Sequence, residues 1–200
     1  MVTEAHSMHE AESSLNRTAF TATLHCLTGC AIGEVLGMII GTALGWSNPA
    51  TIAISVVLAF VFGFSLTMLP LLRSGLALAV ALPLAFASDS LSIAVMELAD
   101  NAVILAIPGA MDSGLSSPLF WGSLAFALAV AFCFAYPLNR YLIARGQGHA
   151  VVHSHHGHGA GDTGSEPPAR LSSPTTFVLI GLAAIAVTIT VTVGAALLVD

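Results

Sequence analysis

Between Phe20 and Val199 the sequence holds a succession of long apolar runs almost free of charge, and this limits what the chain can become more than any motif does. Lipid offers no hydrogen bonds to backbone groups, so a membrane-crossing segment satisfies them internally, as a helix or in a closed barrel. A helix needs roughly 20 mostly apolar residues to cross. Continuous runs, rather than the alternation of barrel strands, favour helices. The pattern predicts spans over about residues 20–45, 50–69, 88–107, 118–142 and 175–199. Glu34 alone interrupts the first, and the turn Trp46-Ser-Asn-Pro49 closes it. The second ends at Pro70 and the third at Pro108-Gly109, while the fourth opens on Pro118 and carries Pro137 near its end. Residues 74–87 are apolar, but the stretch is only about 14 residues long and contains Pro83, which predicts a broken interfacial or re-entrant piece. The expected fold class is all-α: a polytopic membrane helix bundle of about five transmembrane helices plus that segment. The expected organisation is a polar N-terminal segment (1–19), a four-span helical membrane core (20–145), a His/Gly/Ser-rich linker (146–174) and a C-terminal transmembrane helix (175–200).

Composition agrees: 56% hydrophobic against 8% charged residues and a mean hydropathy of +0.90 are too apolar for a soluble domain. All five basic residues are arginines, Arg17, Arg73, Arg140, Arg145 and Arg170, too few and too scattered to neutralise a run of phosphates, so nucleic-acid binding is excluded. With a cytoplasmic N-terminus, every arginine falls on the cytoplasmic side. Trp46 and Trp121 then mark the outer interface and Tyr136 and Tyr141 the inner one, with the C-terminus outside. The net charge of -6 comes largely from acids at the N-terminus and inside apolar stretches. Cys26, Cys30 and Cys133 lie within apolar runs, unlike an extracellular disulfide framework. Residues 1–19 lack a basic start, which argues against a cleaved signal peptide.

The first span is a glycine ladder. Gly29, Gly33, Gly37, Gly41 and Gly45 recur every four residues and lay a smooth groove along one helix face, where another backbone can approach closely. The partner helix belongs to this chain or to another copy. At about 100° per residue, Cys26, Cys30, Glu34 and Met38 fall near 0°, 40°, 80° and 120°, on the same protein-facing side. Two cysteines one turn apart can hold a soft ion such as Cu(I), and His25 lies one residue earlier. The alternative is that cysteine is a small apolar residue buried for packing alone.

The third span carries acids where lipid should be. Asp89, Glu97 and Asp100, with Met96, Ser92 and Asn101, occupy one half of the helix. A charge at the bilayer centre costs at least about 2.5 to 3.5 kcal/mol, so these acids need partners, water or protons. Asp89 is close enough to the predicted start of the span to serve, with Ser88, as an N-cap. A structural reading of Glu97 and Asp100 makes them a hydrogen-bonded buried pair. At about 1.5 Å per residue, Glu34 lies about 21 Å in from Phe20 and Asp100 about 18 Å in from Ser88, so the two can meet near the midplane. Paired carboxylates in low dielectric are expected to share a proton or bind a cation.

In the linker, His149, His153, His155, His156 and His158 put five histidines into ten residues, a composition suited to transition-metal capture or a low-complexity spacer. His6, Met8 and His9 would lie on the same side. No phosphate loop, Ser/His/Asp arrangement or His-Glu-x2-His pattern is present, which speaks against ordinary hydrolytic and phosphoryl-transfer enzymes.

The stretch from His25-Cys-Leu-Thr-Gly-Cys-Ala-Ile-Gly-Glu34 through Trp46-Ser-Asn-Pro49, together with Asp89 to Asn101, Pro108-Gly-Ala-Met-Asp112 and Phe120-Trp-Gly122, resembles the bacterial membrane family called domain of unknown function 4396. The similarity covers roughly residues 20–150 and implies a compact multi-span fold in a bacterial inner membrane and an association with heavy-metal handling, copper especially, without an established activity. The residues and the resemblance together lead to the expectation of a protein, oligomeric with itself, that binds and transports a transition metal ion, copper first and zinc second. Capture falls to the linker histidines and His25, soft coordination to Cys26, Cys30, Met38 and Met96, and passage to Glu34, Asp89, Glu97, Asp100 and Asn101. A metal chaperone is a candidate partner. The competing expectations are a proton or monovalent-cation channel, a membrane-embedded redox protein holding haem or metal, and an assembly partner without transport.

Overall fold

The structure, a computed structural model, describes residues 2–145 and 174–199, with side chains over 12–145 and 175–198. Among the described residues, five helices are long and apolar enough to cross a membrane: α1 (Val2–Leu44), α2 (Asn48–Arg73), α3 (Leu78–Ala106), α4 (Pro118–Ala144) and α5 (Pro174–Val199). The described residues form an all-helical bundle, as the apolar runs require in lipid. Helix α1 starts well before its apolar stretch because no glycine or proline precedes Gly29 to stop it. It ends where Gly45 adopts φ 64, a left-handed position that closes a helix cheaply only without a Cβ.

The predicted interfacial piece does not exist as a separate element. Residues 78–87 are the first turns of α3, which runs unbroken to Ala106. Pro83 is tolerated because, in the second turn, it removes a single internal hydrogen bond near an end whose donors are largely unpaired anyway. The same correction moves Asp89. It stands about two-fifths of the way along α3, fully buried, and Ala77 holds the N-cap position, so Asp89 is not a cap.

The glycine ladder finds its partner inside the chain. A methyl group added at Gly29, Gly33, Gly37 or Gly41 would run into Gly63, Ala59, Ser55 and Thr51 of α2, in that order. The descending order makes the pair antiparallel, and α1 packs more extensively on α2 than on any other helix. Gly45 takes no part, since nothing approaches the position its Cβ would occupy. The ladder is therefore four glycines of packing and one of helix termination.

Helix α3 packs on α2, α4 and α5 and touches α1 more lightly than it touches any of those three. The apolar core follows from this order. Cys26, Phe60, Phe64, Ile93, Met96 and Ala131 are buried together, and the Phe64 ring stacks on Phe86 at 4.2 Å. At one end, Asn139 of α4 donates to the Thr23 hydroxyl of α1 at 2.9 Å, and Arg140 donates to Asn16 at 2.6 Å. Arg73 ends α2 at the same end, so we call this the arginine end. The opposite end carries Trp46 and Trp121, both half-exposed, and the loop 107–117. Asn48 donates to Asp112 at 3.3 Å and ties that loop to the start of α2.

Candidate ion path

Polar groups from α1 and α3 form a row that rises from the arginine end towards the tryptophan end. Cys26 lies beside Ser92 and Asp89. One turn on, Cys30 lies beside Glu97, and one turn further Glu34 meets Asp100. The two helices run in the same direction, and eight residues, about 12 Å, separate Cys26 from Glu34 on α1 and Ser92 from Asp100 on α3, which keeps the ends of the row in register. Every member is buried, with Cys26, Asp89 and Glu97 at 0% exposure.

This row is unusual for how little hydrogen bonding it contains. Both carboxyl oxygens of Glu34, both of Glu97, Oδ1 of Asp100 and the Ser92 hydroxyl lack a well-formed hydrogen bond among the described residues, although Asp100 lies beside Glu34, the Cys30 thiol and Asn101 beside Glu97, and Ser92 beside the Cys26 thiol. Buried polar groups are nearly always paired, and each exception calls for an explanation. Asn101 donates to the Glu97 backbone carbonyl at 2.9 Å and lies beside the Glu97 carboxyl. The described arginines sit at the far end of the bundle or outside it. The contact between Glu34 and Asp100 becomes a hydrogen bond only when one carboxyl carries a proton, because two carboxylates are both acceptors. Asp89 differs: it accepts from the Ser88 hydroxyl at 2.8 Å.

Towards the tryptophan end the row opens into a cavity of about 40 Å³. Glu34 and Met38 of α1, Ser55 of α2, and Asp100 and Asn101 of α3 line it, together with Ala110, Met111 and Phe120. A water needs about 10 to 15 Å³ on this measure, so a few water-sized occupants fit.

The structure brings the α1 and α3 site residues together and leaves others apart. Met96 is fully buried in the apolar core, and Met38 is in the cavity wall, a turn beyond Glu34. His25 is partly buried, and its Nε2 has no hydrogen-bond partner among the described residues. No group of three or more His, Cys, Asp or Glu side chains suited to a metal ion occurs among the described residues. The histidines at 149, 153, 155, 156 and 158 lie outside the described residues, as do the side chains of residues 6, 8 and 9. Sequence reasoning overlooked Ser55 and the cavity-lining residues Ala110 and Met111. It also overlooked Asn139, which a polar side chain inside an apolar span should have flagged.

Residues 15–148 match the family described as a domain of unknown function (DUF4396), and the chain belongs to that family. The match takes in α1 from its first buried turns through α4, and so the whole row and its cavity. No curated protein and no solved structure matches the chain.

Proposed function

We propose that this member of the family moves cations across a bacterial inner membrane along the α1–α3 row, with Glu34, Glu97 and Asp100 carrying the charge. One observation supports the reading above others: five of the six oxygens of these buried carboxyls lack a well-formed hydrogen bond among the described residues, and their polar neighbours are the Cys30 thiol, the Asn101 amide and one another. A structural acid pair would be tied down by donors, since an unpaired buried charge costs several kcal/mol. Carboxyls left open are suited to groups that come and go, protons or cations. The arginine end faces the cytoplasm in this reading, because positive residues are retained on that side. The test is flux into proteoliposomes under an imposed potential. The wild type should pass protons or a monovalent cation, and Glu97→Gln should reduce the rate at least tenfold. Equal rates in protein-containing and empty vesicles would refute the reading.

A second reading, capture of Cu(I) by Cys26 and Cys30, is favoured by two fully buried thiols one turn apart at the arginine end of the row. Two thiolates suit Cu(I), whereas zinc prefers four ligands. In this reading copper bound to protein purified without a histidine tag disappears in the Cys26→Ser/Cys30→Ser variant. Retained copper would assign the thiols to packing.

A further inference from the structure

We infer that the cavity at the tryptophan end of the row is a binding site for one partly dehydrated hard monovalent cation, sodium-like in size, held by Glu34, Asp100, Asn101 and Ser55. The inference rests on the reading of the row as a cation path and names the ion that uses its outer end.

The site is built of oxygen. Glu34 and Asp100 both line the cavity and both are more than nine-tenths buried, and neither oxygen of Glu34 has a hydrogen-bond partner among the described residues except where it shares a proton with Asp100. Asn101 commits its amide nitrogen to the Glu97 carbonyl at 2.9 Å, which leaves its own carbonyl oxygen outside that bond. Ser55 adds a hydroxyl from α2, where the absence of a side chain at Gly37 makes room for it. Carboxylate, amide and hydroxyl oxygens are hard ligands, which select against copper and for alkali and alkaline-earth ions. Met38 and Met111 are also in the wall, but thioethers bind hard ions poorly, so they serve as apolar lining.

Size and charge narrow the choice. A cavity of about 40 Å³ admits an ion with one or two waters and not a complete hydration shell. Stripping an ion costs free energy that rises with the square of its charge, and magnesium in particular gives up water reluctantly. Only two carboxyls face the space, and with one proton between them they balance a single positive charge. The titratable groups that bear on this balance are Glu34 on α1 and Asp100 on α3, with Glu97 and Cys30 one turn below. From α2 the wall has Ile52 and Ser55, from the loop Ala110 and Met111, and from α4 Phe120 and Leu124, none of which titrates. Sodium and a proton therefore compete at this place, which couples movement of one to the other.

The experiment follows the unfolding temperature of the full chain in detergent, by tryptophan fluorescence, as sodium chloride replaces choline chloride at constant ionic strength. A ligand that binds only the folded state raises stability in a saturable way. Sodium should do so and choline should not, and each unit of falling pH should raise the half-saturating concentration by up to tenfold. Asp100→Asn should abolish the response. Ser55→Ala keeps both carboxyls and removes one neutral ligand, so it should fold and bind sodium about tenfold more weakly. No sodium-dependent shift, a shift unchanged in Ser55→Ala, or a response to calcium at lower concentration than to sodium would overturn the site. Proton flux measured in sodium-free choline medium separates the two claims. If it persists in the wild type and falls in Glu97→Gln while sodium leaves stability unchanged, the path stands and the sodium site alone fails; if flux is also absent, both fail.

Discussion

On one side of α1, Gly29, Gly33, Gly37 and Gly41 lie against α2, and on another Cys26, Cys30 and Glu34 lie against α3. Both contacts use residues four apart on the same helix, yet they solve different problems. Against α2 the side chains have been reduced until backbones and small side chains meet, and dispersion between closely packed atoms holds the pair where lipid supplies no hydrophobic drive. Against α3 polar groups meet without enough donors, the contact is lighter, and a cavity remains at one end. The difference teaches that a single helix can serve as the fixed wall of a bundle on one face and keep exchangeable groups on another.

The comparison breaks most readily on the glycine side. Gly37→Leu places a side chain into Ser55 of α2, and because backbone as well as side chain must yield, the expected cost is about 3 kcal/mol, near the top of the overpacking range. Thermal unfolding in detergent checks it. The control Ala183→Leu, on an exposed face of α5, should stay within about 0.5 kcal/mol. Similar melting of the two variants would remove the packing role of the ladder.

The end contact between α4 and α1 sharpens the contrast, because it is polar and satisfied. Asn139→Leu leaves the Thr23 hydroxyl without its donor and should cost about 0.6 to 1.7 kcal/mol, the range for hydrogen bonds between membrane helices. Adding Thr23→Val should recover part of the loss, since removing both partners is cheaper than stranding one. A double variant less stable than the sum of the singles would show that the two residues do not act as a pair. The smallest stability effect is expected from Cys26→Ser/Cys30→Ser, where the shape is nearly conserved; the informative readout there is metal content, not melting.

Much of this contrast was legible before the fold was known. The angular placement of Cys26, Cys30, Glu34 and the glycines needs only the helical period, and so does the gathering of Glu97 and Asp100 on one half of α3. The depth estimate that paired Glu34 with Asp100 was right about the pairing, although α3 starts at Leu78 and not near Ser88. Pro83 misled because proline's effect depends on its distance from the helix start, which composition does not reveal. The cap alternative for Asp89 fails on the same helix, because α3 starts at Leu78, well before it. The partner of the ladder was open to a closer reading: Thr51, Ser55, Ala59 and Gly63 form a second small-residue stripe with the same four-residue spacing. Ala110 and Met111 lie in a loop, where no periodicity marks which side chains turn inward.

The central claim is that the two faces of α1 are separable, one for folding and one for moving charge. Its most direct test is Asp100→Asn, with unfolding temperature and proteoliposome flux measured on the same preparation. The account predicts melting within a few degrees of the wild type or above it, because an open buried acid stabilises nothing, with flux reduced at least tenfold. A variant that melts far lower, or one that melts normally and still passes cations at the wild-type rate, would contradict it.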